Sequence, residues 1–140
     1  MKVYNGEKLL LGRLATVVAK EALMGEEVKV VNCENIYWSG SKSLALEHEK
    51  QKIDRRGHPD LSAKHSRLPE RLVRRSIRGM LPWITPRGRV AFKRIMCYRG
   101  IPEELKNEKL ITLESANVSK LPTLKYVTVG EICKRLGAKL

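Results

Sequence analysis

Eleven basic residues crowd one stretch of this chain: Lys64, Arg67, Arg71, Arg74, Arg75, Arg78, Arg87, Arg89, Lys93, Arg94 and Arg99. A single acid, Glu70, stands among them, so this quarter of the 140 residues carries most of the formal net charge of +13. Nine of the thirteen arginines lie here, but only two of the fifteen lysines. A guanidinium is a flat, five-donor fork that suits bidentate phosphate binding, whereas an ammonium is a solvated point charge. Arg71, Arg74, Arg75 and Arg78 recur at i, i+3, i+4 and i+7, which sets all four on one face of a helix. Leu72, Val73, Ile77, Met80 and Leu81 take the opposite face. Four like charges on one stripe repel by a few tenths of a kcal/mol per pair, roughly. Solvated helix faces usually mix signs to avoid this, so an unmixed stripe points to a polyanionic partner.

A second basic helix is expected from Gly88 to Tyr98, with Ala91, Phe92, Ile95 and Met96 as its apolar arc. Pro69 suits the first turn of the first helix, which ends before Pro82. The connector Trp83-Ile84-Thr85-Pro86 is stiff, and Trp83 is either a base-stacking residue or a core tryptophan. Two amphipathic helices set at a proline-fixed angle would form a concave cationic surface. The preceding loop adds Arg55, Arg56, His58 and His65, and Lys42 sits at the start of an earlier helix. Each is a candidate RNA contact.

Other chemistries find less support. Gly6 and Gly12 frame a strand-to-helix turn, but Arg13-Leu14 follows where a phosphate loop needs Lys and Ser or Thr. Ser39-x-x-Lys42 has the letters of an acylating serine motif without its companions, and reads better as a capped helix start able to hold a phosphate. His58 and His65 lie seven residues apart with no tight ligand pair, so no metal or other cofactor is expected. Cys33, Cys97 and Cys133 are odd in number and far apart, as buried free thiols in a reducing cytoplasm would be. Glu47, Glu49, Asp54 and Asp60 are diluted among cations and make no catalytic pair, so no enzyme and no small-molecule substrate are expected. No apolar run approaches a membrane span.

These residues need a scaffold. Lys2-Val3-Tyr4 reads as a strand, Leu9 to Met24 as a helix apolar nearly all round, and Val28 to Cys33 as a second strand. A strand, a helix and a strand in so short a span make a βαβ unit with parallel pairing. A short strand at Ile36-Tyr37-Trp38 and a helix from Ser39 to about Arg55 follow. Beyond Gly100, Leu110 to Leu113 reads as an edge strand and Lys125-Tyr126-Val127 as another. Thr128 and Glu131 fit a capping box for a last helix ended by Gly137. One α/β domain over residues 1–140 is expected, with a basic helical tract at 64–100 and an extended segment at 101–140.

Leu11-Gly12-Arg13-Leu14-Ala15-Thr16, Asn32-x-Glu34-Asn35-Ile36 and Ser39-Gly40-x-Lys42 resemble the large-subunit ribosomal protein thirteen family. So, above all, does Arg78-Gly79-Met80-Leu81-Pro82 followed by Gly88-Arg89 and Tyr98-x-Gly100. The short link between first helix and second strand resembles the archaeal and eukaryotic branch. The resemblance implies a three-layer α/β/α core with a small, mainly parallel sheet and the basic helices on one side. It also implies a cytoplasmic, structural protein of the large subunit that binds its rRNA, supports early assembly and touches neighbouring ribosomal proteins. The residues alone leave two alternatives: a helix-turn-helix DNA binder and an RNA-processing factor.

Overall fold

The computed structural model describes residues 1–55, 57–58, 61 and 65–139. Arg56 and Lys64, both candidate RNA contacts, lie outside the described residues. Strand β1 (Lys2–Asn5), helix α1 (Leu11–Met24) and strand β2 (Val28–Val31) form the expected βαβ unit, with Lys2 to Asn5 running parallel to Val28 to Val31. Helix α1 turns Leu14, Ala15, Val18 and Ala22 wholly inward. It stops at Gly25, whose φ of 106° is a left-handed position that a side chain would strain.

Strand β3 (Tyr37–Ser39), helix α2 (Lys42–Asp54), helix α3 (Pro69–Arg78) and helix α4 (Pro86–Lys93) follow. Strand β4 (Ile95–Cys97) then pairs parallel to β2, and strand β5 (Leu110–Ile111) parallel to β1. The sheet order is β4-β2-β1-β5. Strand β6 (Tyr126–Thr128) pairs antiparallel with β3 in a separate ribbon, and helix α5 (Val129–Arg135) closes the chain.

The expected α/β fold with a mainly parallel sheet is present, and its helices are unevenly placed. Tyr4, Val28, Val30, Ile95 and Cys97 point from the sheet into the core beneath α1 and α3. Val3, Val31 and Leu110 point the other way, onto Leu105 in a single 3-10 turn, Glu103–Leu105. The third layer is thus one turn. A right-handed crossover that returns to the opposite edge of a sheet passes over its opposite face, and the segment from β4 to β5 does so.

Two expected boundaries are corrected. The second basic helix ends at Lys93, not Tyr98. Ile95 and Cys97 are buried and Met96 is exposed, the alternation of a strand, because the edge of β2 offers Val28 to Val30 as pairing partners. Helix α3 ends at Arg78 rather than running on to Leu81. Leu81 still packs inward, but Met80 belongs to a turn and is exposed instead of joining the apolar face.

Candidate nucleic-acid interface

Helix α3 separates its two faces cleanly. Leu72, Val73 and Ile77 are buried against the core that includes α1. Arg71 and Arg75 are exposed, while Arg74 and Arg78 are half-buried. The difference comes from two aromatic rings. The Arg74 guanidinium carbon lies 4.5 Å from the centre of the Phe92 ring, and that of Arg78 lies 5.0 Å from the centre of the Trp83 ring. The rings meet edge to face, with centres 5.1 Å apart and planes at 89°. A guanidinium over an aromatic face gains about 0.5–1 kcal/mol at such exposed sites. It also loses mobility before any ligand arrives, which lowers the ordering cost of binding. Trp83 is therefore not a core tryptophan: it stays 39% exposed and props Arg78.

The turn that presents Trp83 depends on Gly88. A Cβ at this position would lie 2.1 Å from the Pro82 carbonyl oxygen and 2.5 Å from its carbon. The Thr85 amide and hydroxyl both donate to that same carbonyl, at 3.0 and 2.9 Å. The Thr85 hydroxyl in turn accepts from the Gly88 amide at 3.3 Å, capping α4 with Pro86 in its first turn. Residues 82–88 thus fold into a knot of backbone contacts that sets α4 against α3.

The four arginines, His65 and Phe92 line a groove of about 420 Å³, with Glu49 of α2 on its rim. That carboxylate is already engaged, by Lys52 at 2.7 Å and His48 at 3.4 Å. Among the described residues every ion pair uses a lysine, a histidine or the amino terminus, and none uses an arginine. The Arg74 Nε is buried with no acceptor. Burial and the charge of Arg75 hold the His65 imidazole below its usual pKa, so a nearby anion would raise it.

The other candidates divide. Arg87 and Arg94 turn back onto α1, donating to the carbonyls of Leu23 at 3.5 Å and Ala22 at 3.3 Å. Both carbonyls lie in the last turn of α1, where a cation is favourable, and that of Ala22 also accepts the Gly25 amide at 3.2 Å. Arg89 donates to the Trp83 carbonyl at 3.3 Å. Lys42 binds the Glu131 carboxylate of α5, which lowers that acid's pKa, and Ser41 rather than Ser39 caps α2. Arg55, His58, Arg67, Lys93 and Arg99 are exposed. The structure therefore gathers Arg71, Arg74, Arg75, Arg78, Trp83 and His65 at one place, and Arg87, Arg89 and Arg94 serve the frame beside it. The concave surface expected from two helices is built mainly from α3. Phe92, read from sequence only as part of an apolar arc, is the residue that positions Arg74.

Arg87, Arg89 and Arg94 are held by carbonyls, and α4 buries Gly88 and Ala91 while Arg87, Arg89, Val90 and Lys93 are exposed. Doubly wound sheets bind nucleotides where the strand order reverses, which here lies beyond β1 and β5. Chain fills that place: the Leu10 amide donates to the Ala116 carbonyl at 2.8 Å and the Val118 amide to the Lys8 carbonyl at 2.9 Å. A side chain at Gly6 would strike Ile36 at 2.7 Å. Among the described residues no three His, Cys, Asp or Glu side chains converge where a metal ion could sit. Cys33, Cys97 and Cys133 are buried free thiols, as expected.

A family model described as ribosomal protein L13 matches residues 1–104. The large ribosomal subunit protein uL13 of Methanococcoides burtonii is 40% identical over 139 residues, covering 99% of both chains. That of Methanopyrus kandleri is 43% identical over 140 residues, covering 99% of this chain and 87% of its own. That of Methanocaldococcus jannaschii is 39% identical over 142 residues, covering 99% of both.

Proposed function

This chain belongs to the ribosomal protein L13 family, and we propose that it grips large-subunit rRNA with the arginine face of α3. The family is a structural one, so the chain is a non-enzymatic constituent of the large ribosomal subunit in the cytoplasm. The finer reading is that Arg71 and Arg75 bind backbone phosphates directly, while Arg74 and Arg78 are presented by Phe92 and Trp83. Holding rRNA segments across the groove would support early subunit assembly and bring neighbouring ribosomal proteins into place. The observation that carries this is the arginines' lack of carboxylate partners among the described residues, while lysines take the acids. RNA's irregular phosphate surface suits such a pre-set array of forks.

The test is affinity for large-subunit rRNA as a function of salt. Each neutralised phosphate contributes roughly −0.7 to −0.9 to the log–log slope, and the tract offers on the order of ten contacts. Arg71→Glu with Arg75→Glu should flatten the slope by about 2 and collapse affinity, with unfolding temperature held or slightly raised. Ile77→Ala should do the opposite, costing about 2–5 kcal/mol of stability while the surviving fold still binds. A wild-type slope shallower than about −3 would show that the tract is not the interface.

A further inference from the structure

The ribbon of β3 and β6 offers chemistry that the arginine face lacks. We propose that its outer face is a second RNA site, which takes an unpaired base of single-stranded rRNA on Tyr37 and Tyr126 and a flanking phosphate on Lys8. The proposal rests on the rRNA-binding reading above.

In the antiparallel register Tyr37 lies opposite Thr128, Trp38 opposite Val127, and Ser39 opposite Tyr126. Side chains alternate across a strand, so the two tyrosines share one face and Trp38 and Val127 the other. The second face is inward: Trp38 and Val127 pack with Ala45 and Ile132. The first is outward, with Tyr126 39% exposed. The tyrosine rings meet edge-on, centres 5.0 Å apart at 87°. Beside Tyr37 lies a recess of about 290 Å³, lined by Glu7, Lys8, Asn35, Tyr37 and Thr128. That is small for a drug-sized ligand or cofactor and suits one base.

Three groups around the recess are uncommitted. Within the described residues no hydrogen bond or ion pair engages the Tyr37 hydroxyl, the Asn35 side-chain amide or the Lys8 ammonium. Tyr4, by contrast, is buried and donates its hydroxyl to Glu21 at 2.7 Å. Glu7, the one acid at the recess, receives the Asn5 amide at 3.4 Å. Lys8 sits at φ 58°, a left-handed position rare for a residue with a side chain. It is held there by the buried Leu9 and Leu10 and by its carbonyl's bond from the Val118 amide. A ring for stacking, an amide for a base edge and an uncommitted cation are the parts that single-stranded RNA recognition requires. With no arginine in it, this site should depend on stacking more than on salt.

The probes are a hexamer of oligoadenylate, followed by NMR of the full chain, and large-subunit rRNA, followed by affinity. Added hexamer should move the Tyr37 and Tyr126 ring signals upfield. Tyr37→Leu with Tyr126→Leu, which keeps apolar bulk on the ribbon, should weaken rRNA binding about tenfold, the scale of one lost stack, with the salt slope unchanged. Lys8→Gln should flatten the slope by about 1. The ring shifts are read on the unaltered chain, so the proposal stands or falls even if the double variant does not fold. Should the wild-type chain fail to bind rRNA, the functional reading itself is wrong. Should it bind, with still ring signals and all variants equal to wild type, only this site is refuted. Variants that bind rRNA normally but are lost from assembled subunits would show that the ribbon docks a protein, which also overturns the proposal.

Discussion

Gly88→Ala is the substitution that most directly interrogates how the arginine face is held. Its new methyl would stand 2.1 Å from the Pro82 carbonyl oxygen, where real Cβ contacts essentially never fall below 3.0 Å, and the obstacle is backbone. Pro82 cannot yield alone, because its carbonyl is fixed by both donors of Thr85. The strain must therefore pull α4 away from the turn at residues 79–85. Overpacking of this kind costs about 1–3 kcal/mol. Parting Phe92 from Trp83 also loosens Arg74 and Arg78, at about 0.5–1 kcal/mol each. About 3 kcal/mol in total lowers Tm by on the order of 10 °C for a chain of this size. Gly12→Ala is the matched control: Gly12 lies in the first turn of α1 with nothing within 4 Å of its Cβ, so alanine should stabilise by about 0.5 kcal/mol. Scanning calorimetry of the two variants should show shifts of opposite sign. RNA affinity should fall for Gly88→Ala alone. A Gly88→Ala protein as stable as wild type would refute the close approach and with it the account of how the arginines are aimed.

His65 should make binding pH-dependent. It faces Glu49 and Lys52 from α2 and Arg75 and Arg78 from α3, and burial first, then Arg75, lowers its pKa in the free protein. The unfolded chain thus takes up its proton first, so stability is whole above about pH 6.5 and declines as pH falls below it. Phosphates in the groove would reverse the balance, so rRNA affinity at fixed salt should rise from pH 7.5 to 5.5 and flatten in His65→Gln. A wild-type affinity that ignores pH would remove His65 from the interface. The thiols should be inert in the native state: burial pushes Cys133 up to about 12, and a hydrogen bond from the Cys33 thiol to Cys97, followed by burial, drives Cys33 upward as well. An aromatic disulfide reagent at pH 8 should titrate all three only after denaturation, and rapid native labelling would contradict that burial.

What could be read from the chain alone followed the range of the interactions. The βαβ opening and the arginine stripe were legible because both are periodic within a few turns of chain. Ile95-Met96-Cys97 has the look of helix in sequence because Ala91, Phe92, Ile95 and Met96 have helical spacing and three residues are too few to display a strand's alternation. Only Val28 to Val30, some 67 residues earlier, decide the matter. The carbonyl partners of Arg87 and Arg94 are equally hidden from local sequence, since they lie 64 and 72 residues away on α1. Lys42 and its partner Glu131 are 89 residues apart. Charge type was visible, but which cations the fold itself would use was not. Phe92 carried no local mark of its role under Arg74.

The order of the sheet bears on whether the arginine helices could ever be borrowed. Helices α2 to α4 are threaded between β2 and β4, neighbours in space whose paired residues Val28 and Ile95 bracket the whole insertion. Helix α3 has no hydrophobic cover of its own; Leu72, Val73 and Ile77 are shielded by a helix that precedes β2. A peptide cut to the basic tract would lose both the strand that anchors its end and the surface that hides its apolar side. It would keep the charge but not the geometry, binding any polyanion with the poor discrimination of a flexible arginine-rich tail. The interface is not a portable module, and grafting it onto another protein would mean transplanting β1, α1, β2 and β4 with it.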